Sequence, residues 1–118
     1  MPDSLTDAAR DLTFGSRCVG CGRPGRVLCP ACRTTLPRTA RPAWPSPTPP
    51  GLAPPFSAGP YDGLLKAMVL AHKEHGVLAL AVPLGEVLAA VVGGIADRAR
   101  SDRVVLVPVP SRRAVVRR

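Results

Sequence analysis

Aromatic side chains are scarce in this chain: Phe14, Trp44, Phe56 and Tyr61 are the only four among 118 residues. A core must therefore be built from Leu, Val and Ala. The same scarcity argues against a surface on which successive nucleic-acid bases stack, since such platforms need aromatic faces. Histidine is limited to His72 and His75. They lie three apart, but no further ligand is near them in sequence, so both read as ordinary helix residues rather than a metal pair. Acids are few as well. None is interspersed among Arg17, Arg23, Arg26, Arg33, Arg38 and Arg41. Asp102 alone breaks the second block of Arg98, Arg100, Arg103, Arg112, Arg113, Arg117 and Arg118. The formal net charge is +8. That balance suits polyanion partners, either nucleic acid or the phosphates of a nucleotide precursor. For the first block, offsetting the negative charge of a metal–thiolate centre is an equally good explanation.

Met1 to Asp11 holds three aspartates and no apolar run. No signal peptide is expected there, and the chain is expected to be cytoplasmic. Val77 to Ala96 is twenty residues long with one charge, Glu86, and one proline, Pro83. Its length suits a bilayer. Glu86 near its centre would cost about 2.5–3.5 kcal/mol on an insertion scale. Leu80, Leu84, Val87, Leu88, Val91 and Ile95 also fall in one helical stripe, and Glu86, Ala90, Gly93, Asp97 and Arg100 in another. An amphipathic helix of a soluble protein, with no membrane span, is the expectation.

What the sequence does have is a cysteine quartet. Cys18, Cys21, Cys29 and Cys32 are its only cysteines, spaced C-x2-C-x7-C-x2-C. Two residues between cysteines let one tight turn present both sulfurs to one ion, and two such turns close a tetrahedral thiolate site for Zn2+. Gly22 follows the first pair, where a knuckle turn wants a positive φ and a backbone N–H free to point at sulfur. The second pair reads Cys29-Pro30-Ala31-Cys32-Arg33, has no glycine, and is expected to lead into a short helix. Two disulfides are the less favoured reading, because they need an exporting compartment. A redox dithiol is also less favoured: it would open a helix after a strand, and no strand pattern precedes Cys18.

Four segments follow from the patterning. Residues 1–16 contain a short helix, Ser4 to Phe14, with Ser4 as cap. Residues 17–36 are the four-cysteine zinc module. Residues 37–60 hold nine of the fifteen prolines and read as a stiff, polyproline-like spacer, with an edge strand around Ala53 to Ala58. Residues 61–118 begin a different pattern. Asp62 caps a helix that runs to about Glu74, with Leu64, Leu65, Met68 and Val69 on one face, and Gly76 ends it. A second helix covers roughly Leu78 to Arg100, starting late or bending at Pro83. Arg103 to Val109 is a continuous, β-branched apolar run, expected as a central parallel strand buried on both faces. Such a strand needs neighbours, and the chain is expected to stop inside an α/β domain. Without that sheet, the apolar face of Val104 to Val107 is expected to lie exposed.

The order Cys-x2-Cys-Gly, Leu-Cys-x2-Cys, a proline-rich spacer, Tyr61-x-Gly63-Leu64-x-Lys66, Lys73, Gly76, then Val107-Pro108-Val109-Pro110 before arginines, resembles the ComF family. The resemblance covers about Asp11 to Arg118, and the strand end is its most specific part. It implies a small zinc-ribbon or knuckle module joined to the start of an α/β domain like that of the type I phosphoribosyltransferases. It also implies a link to DNA uptake in competence, with DNA-uptake or recombination proteins as partners. In the family, the loop after the first core strand faces the pyrophosphate of phosphoribosyl pyrophosphate (PRPP), bound with Mg2+. Here that loop matches Pro108, Val109, Pro110, Ser111, Arg112 and Arg113. Backbone N–H groups and guanidinium charge suit phosphate oxygens. The family's Gly-Phe-Asn-like segment, its Asp-Asp motif and its Thr/Gly-rich phosphate loop are not among these residues. The chain is thus expected to be a truncated member, unlikely to turn over substrate alone. The catalytic residues stay unassigned. The alternative function is a basic zinc-ribbon module that binds single-stranded nucleic acid or docks on other proteins.

Overall fold

A computed structural model describes residues 16–110. Sequence expectations for the helix at Ser4 to Phe14, and for Ser111, Arg112 and Arg113, fall outside those residues.

The first turn around Cys18 is a knuckle closed by backbone pairs: Cys18 N–H donates to Arg23 O at 2.9 Å, and Val19 N–H to Val27 O at 2.8 Å. Helix α1, Pro30–Thr34, follows the second cysteine pair as expected. Pro30 occupies its first turn, where a missing N–H costs no hydrogen bond. Strands β1, Arg41–Pro42, and β2, Phe56–Ser57, pair antiparallel with Arg41 opposite Ser57. The pairing extends one step further, since Ala43 N–H donates to Pro55 O at 2.9 Å.

Helix α2 spans Gly63–His75 and Gly76 ends it, with φ 65° in the left-handed region. Both Gly76 and Val77 turn their N–H groups back onto Ala71 O. His72 adds a side-chain lock, its Nδ1 donating to Val77 O at 3.1 Å. Asp62 stands at the N-cap position but its side chain makes no capping bond. A 3-10 turn, Leu78–Leu80, then leads into helix α3, Ala81–Ala99. Pro83 is buried in the first turn of α3, so the helix starts late rather than bending.

The core is a cluster of Leu36, Met68, Leu80 and Val87. Met68 and Leu80 are 0% exposed, and burying each is worth about 1.5–3 kcal/mol. Val19, Val27 and Leu28 from the cysteine module pack on this cluster beside Leu64, Leu65 and Leu84. The module and the helix pair therefore share one apolar core. The expected stripe is realised through Leu80, just before α3, and Val87 and Val91 on it, whereas Leu88 is 56% exposed. Leu78–Ala99 is long and apolar enough to cross a membrane by length and composition. One side of this helix nevertheless packs on α2 and the cysteine module.

The proline-rich stretch holds a strand within the Ala53 to Ala58 segment expected for it: its legs form the β1–β2 pair, and Ala40 within it and Leu36 just before it are buried. Ala40 sits so close to α3 that a Cβ added at Gly94 would lie 3.4 Å from its Cβ. Arg98 of α3 stacks over the Phe56 ring at 5.2 Å and donates to Ala40 O at 3.4 Å. Apolar residues between the prolines supply the anchoring, and a two-residue strand tolerates Pro42 at its edge. One expectation is corrected, that for Arg103 to Val109. Among the described residues the only sheet is β1–β2, so no parallel strand forms there. The run has no regular secondary structure, with Val105 85% and Val107 84% exposed. No neighbouring strand is present among the described residues to satisfy its backbone, and its apolar face lies open, as expected of the run without its sheet.

Candidate metal centre

The site is built from two short loops held face to face. In the first, Gly22 has φ 73°, the left-handed value that the turn requires. Its N–H donates to Cys18 O at 2.8 Å, so it closes the knuckle instead of pointing at sulfur. Donors to sulfur also come from the second loop. Cys29 N–H points at Cys18 Sγ at 3.3 Å, and Cys32 N–H at Cys29 Sγ at 3.4 Å. Cys29 is also the N-cap of α1, so its sulfur takes the capping role usually filled by an oxygen.

All four sulfurs lie within 4.8 Å of one another. Four thiolates each about 2.3 Å from one ion stand about 3.8 Å apart in a regular tetrahedron. Cys21 Sγ and Cys29 Sγ are 3.7 Å apart, which matches that edge. None of the four is in a disulfide. Cys18 and Cys29 are buried, Cys32 is half-buried and Cys21 faces solvent. The donor set and its geometry fit a structural Zn2+.

Electrostatics supports the same conclusion. Burial raises the Cys18 thiol, but backbone N–H groups of Cys29, Cys21 and Gly20 outweigh it, and its pKa falls to about 6. The backbone N–H of Cys32 lowers the Cys29 thiol in the same way. Hydrogen bonds with the sulfurs of Cys29 and Cys18 hold the Cys32 proton, and its pKa rises to about 12. Four sulfurs this close cannot all be thiolates unless a cation lies among them. A divalent ion removes the conflict and the last proton together.

Three residues outside the quartet position it. Gly20 is pressed between the site and α2: a Cβ there would lie 2.8 Å from Cys32 Sγ and 2.9 Å from Leu64 Cδ1. Arg33, on α1 directly after Cys32, pairs with Glu86 of α3 at 2.5 Å. Arg33 therefore is not one of the free arginines around the cysteines. Arg17 stays at the knuckle, donating to Gly22 O at 3.3 Å. Arg23, Arg26, Arg38 and Arg41 are exposed. Glu86 stands out in the sequence as the one charge between Val77 and Ala96, whereas nothing there singles out Gly20. Neither contact is legible, because each joins residues far apart in the chain.

Of the pyrophosphate-loop candidates, Pro108, Val109 and Pro110 are exposed. The structure does not bring them to the cysteine site. Lys66 lies 5.9 Å from the Tyr61 ring centroid. Lys73 is near Glu74, at 4.0 Å. Both lysines are on the outside of α2. Compared with known proteins, the chain matches no family model, no curated protein and no solved structure.

Proposed function

We propose that Cys18, Cys21, Cys29 and Cys32 hold one structural Zn2+ in a protein of the ComF type. In this reading the helices that follow belong to a phosphoribosyltransferase-like α/β unit. The observation that carries the metal reading is the set of four sulfurs within 4.8 Å of one another. The ion does no chemistry on a substrate here. It replaces the apolar core that so short a module cannot build for itself, and it fixes the face that packs on α2 and α3.

The family reading is supported by the motif order from the cysteines to Val107-Pro108-Val109-Pro110. Under it, Pro108 to Arg113 faces the pyrophosphate of PRPP, with Mg2+ offsetting the phosphate charge. Work alongside DNA-uptake and recombination proteins, in the cytoplasm, belongs to the same reading. So does a helix Leu78–Ala99 that stays out of the membrane, which its packed stripe and the Arg33–Glu86 pair support. The segments that hold ribose and 5′-phosphate in the family are not among these residues, so turnover by this chain alone is not proposed.

Metal analysis of carefully reduced protein tests the zinc reading. About one zinc per chain is expected, and protein that folds without any overturns it. Gene sequencing beyond codon 118 tests the family reading. A continuation encoding Gly-Phe-Asn and an Asp-Asp/Thr-rich loop supports it, and unrelated sequence in every frame counts against it.

A second reading, nucleic-acid binding by the module, is favoured by one observation. Arg17, Arg23, Arg26, Arg38 and Arg41 are exposed, and no acid lies among them. Oligonucleotide binding that weakens steeply with salt would support it. No detectable binding at low salt removes it.

A further inference from the structure

We infer that the cysteine site is a peroxide-sensitive latch, in which Cys21 reacts first and closes a disulfide with Cys29, expelling the metal. The inference rests on the structural-zinc reading above. Its grounds are the unequal exposure of the four ligands and what the site is attached to.

Cys18 and Cys29 are buried and Cys32 is half-buried, whereas Cys21 is exposed. A solvent-borne oxidant therefore meets Cys21 Sγ first. Cys29 Sγ lies 3.7 Å from it on the opposite loop, in sulfur–sulfur contact. A sulfur–sulfur bond is about 2.05 Å long, so the pair has to close by less than about 2 Å. The oxidant is hydrogen peroxide or an alkyl hydroperoxide. The Cys21 thiolate attacks one peroxide oxygen, the O–O bond breaks, and the leaving hydroxide or alkoxide takes up a proton. Cys21 is now a sulfenic acid. Cys29 Sγ then attacks Cys21 Sγ, the S–S bond forms, and a second hydroxide leaves and is protonated to water. Two electrons pass from the two sulfurs to the peroxide, and Zn2+ departs because it has lost two of its four thiolates.

Oxidation at this place acts beyond the site. A Cys21–Cys29 bond ties the tip of the first knuckle to the N-cap of α1. Gly20, next to Cys21, is wedged against Cys32 Sγ and Leu64. Arg33, four residues after Cys29, carries the pair to Glu86. Drawing the loops together and removing the ion shifts both contacts. The latch thus couples oxidation to the fit of the cysteine module on the helices.

The full zinc-loaded chain is the test object, with hydrogen peroxide as the probe. Zinc is measured per chain before exposure, which separates the two ideas: no bound zinc refutes the metal reading, whatever peroxide does. With zinc bound, peroxide is expected to release it into a chromogenic chelator as the chain loses about 2 Da relative to the reduced apo form. Dimedone trapping is expected at Cys21 and peptide mapping is expected to find a Cys21–Cys29 link. Thioredoxin or dithiothreitol with added zinc should restore the metal. Retention of zinc under peroxide overturns the inference, and so does a first label on another cysteine. Mapping that finds Cys18–Cys21 or Cys29–Cys32 instead of the cross-loop bond overturns it too. Because these readouts use the unsubstituted chain, they do not depend on a cysteine variant folding.

Discussion

Arg33 and Glu86 stand 53 positions apart in the chain and meet as an ion pair, the guanidinium of α1 against the carboxylate of α3. Arg33 directly follows Cys32, and Glu86 is the only acid in the first four turns of α3. The pair joins the cysteine module to the long helix. It also gives the one charge between Val77 and Ala96 a reason to be there.

Both side chains keep about two-fifths of their exposure, 44% and 39%. The pair is therefore screened, and its worth is about 0.2–1 kcal/mol. A double-mutant cycle with R33A and E86A, followed by chemical denaturation of the zinc-loaded protein, is expected to give a coupling energy in that range. The coupling should shrink as salt rises. A coupling of zero at low salt would mean that the module is held by its apolar contacts alone.

Gly20 makes a sharper demand. A methyl group there meets Leu64 Cδ1, the end of a side chain that can rotate away, and Cys32 Sγ, which cannot move without leaving the site. The substitution G20A is expected to weaken zinc binding at least tenfold in a competition with a chromogenic chelator, while leaving the helix content almost unchanged. G20A combined with L64A tests the division of the clash. If the second change restores affinity, Leu64 was the obstacle; continued loss points to Cys32. Unchanged affinity in G20A alone would show that Gly20 is not pressed against the ligand.

The contrast between these contacts and the cysteines explains what was legible in the sequence. Ligand spacing is local: C-x2-C puts two sulfurs in one turn, and the left-handed Gly22 and the helix opening at Pro30 follow from nearby residues alone. The same holds for Gly76, whose left-handed φ ends α2 as its place in the sequence suggests. Tertiary pairings leave no such trace. Nothing near Leu36 or Ala40 announces that they will be buried and pin the proline-rich legs beside α3. Asp62 carries the right side chain for a cap and does not make the bond. The run from Arg103 to Val109 has a strand's composition, but strand formation depends on partners that composition cannot supply.

That run leads to a prediction about solubility. Val105 and Val107 are 85% and 84% exposed, and no strand among the described residues pairs with them, which leaves a template for edge-to-edge association. V105K with V107K removes the apolar face and adds repulsion between copies. The expected result is less self-association by light scattering, with a change in stability of no more than about 0.5 kcal/mol. A loss of stability larger than that would mean the two valines are packed in solution.

The thiol pKa values set the pH dependence of the metal. Zinc binds thiolates, so binding releases whatever protons the ligands hold, and affinity falls with pH in proportion to that number. Near pH 7 Cys18, with its pKa lowered to about 6, is mostly ionised and gives up little. Cys32, raised to about 12, is protonated and must release its proton to bind. Affinity is therefore expected to fall as pH drops from 8 to 6. Below about 6 Cys18 takes up a proton as well, and the fall steepens by one further proton per ion. Isothermal titration in buffers of different ionisation enthalpy counts the protons directly. A slope that does not steepen through pH 6 would show that the backbone N–H groups aimed at Cys18 Sγ do not lower its pKa in the folded chain.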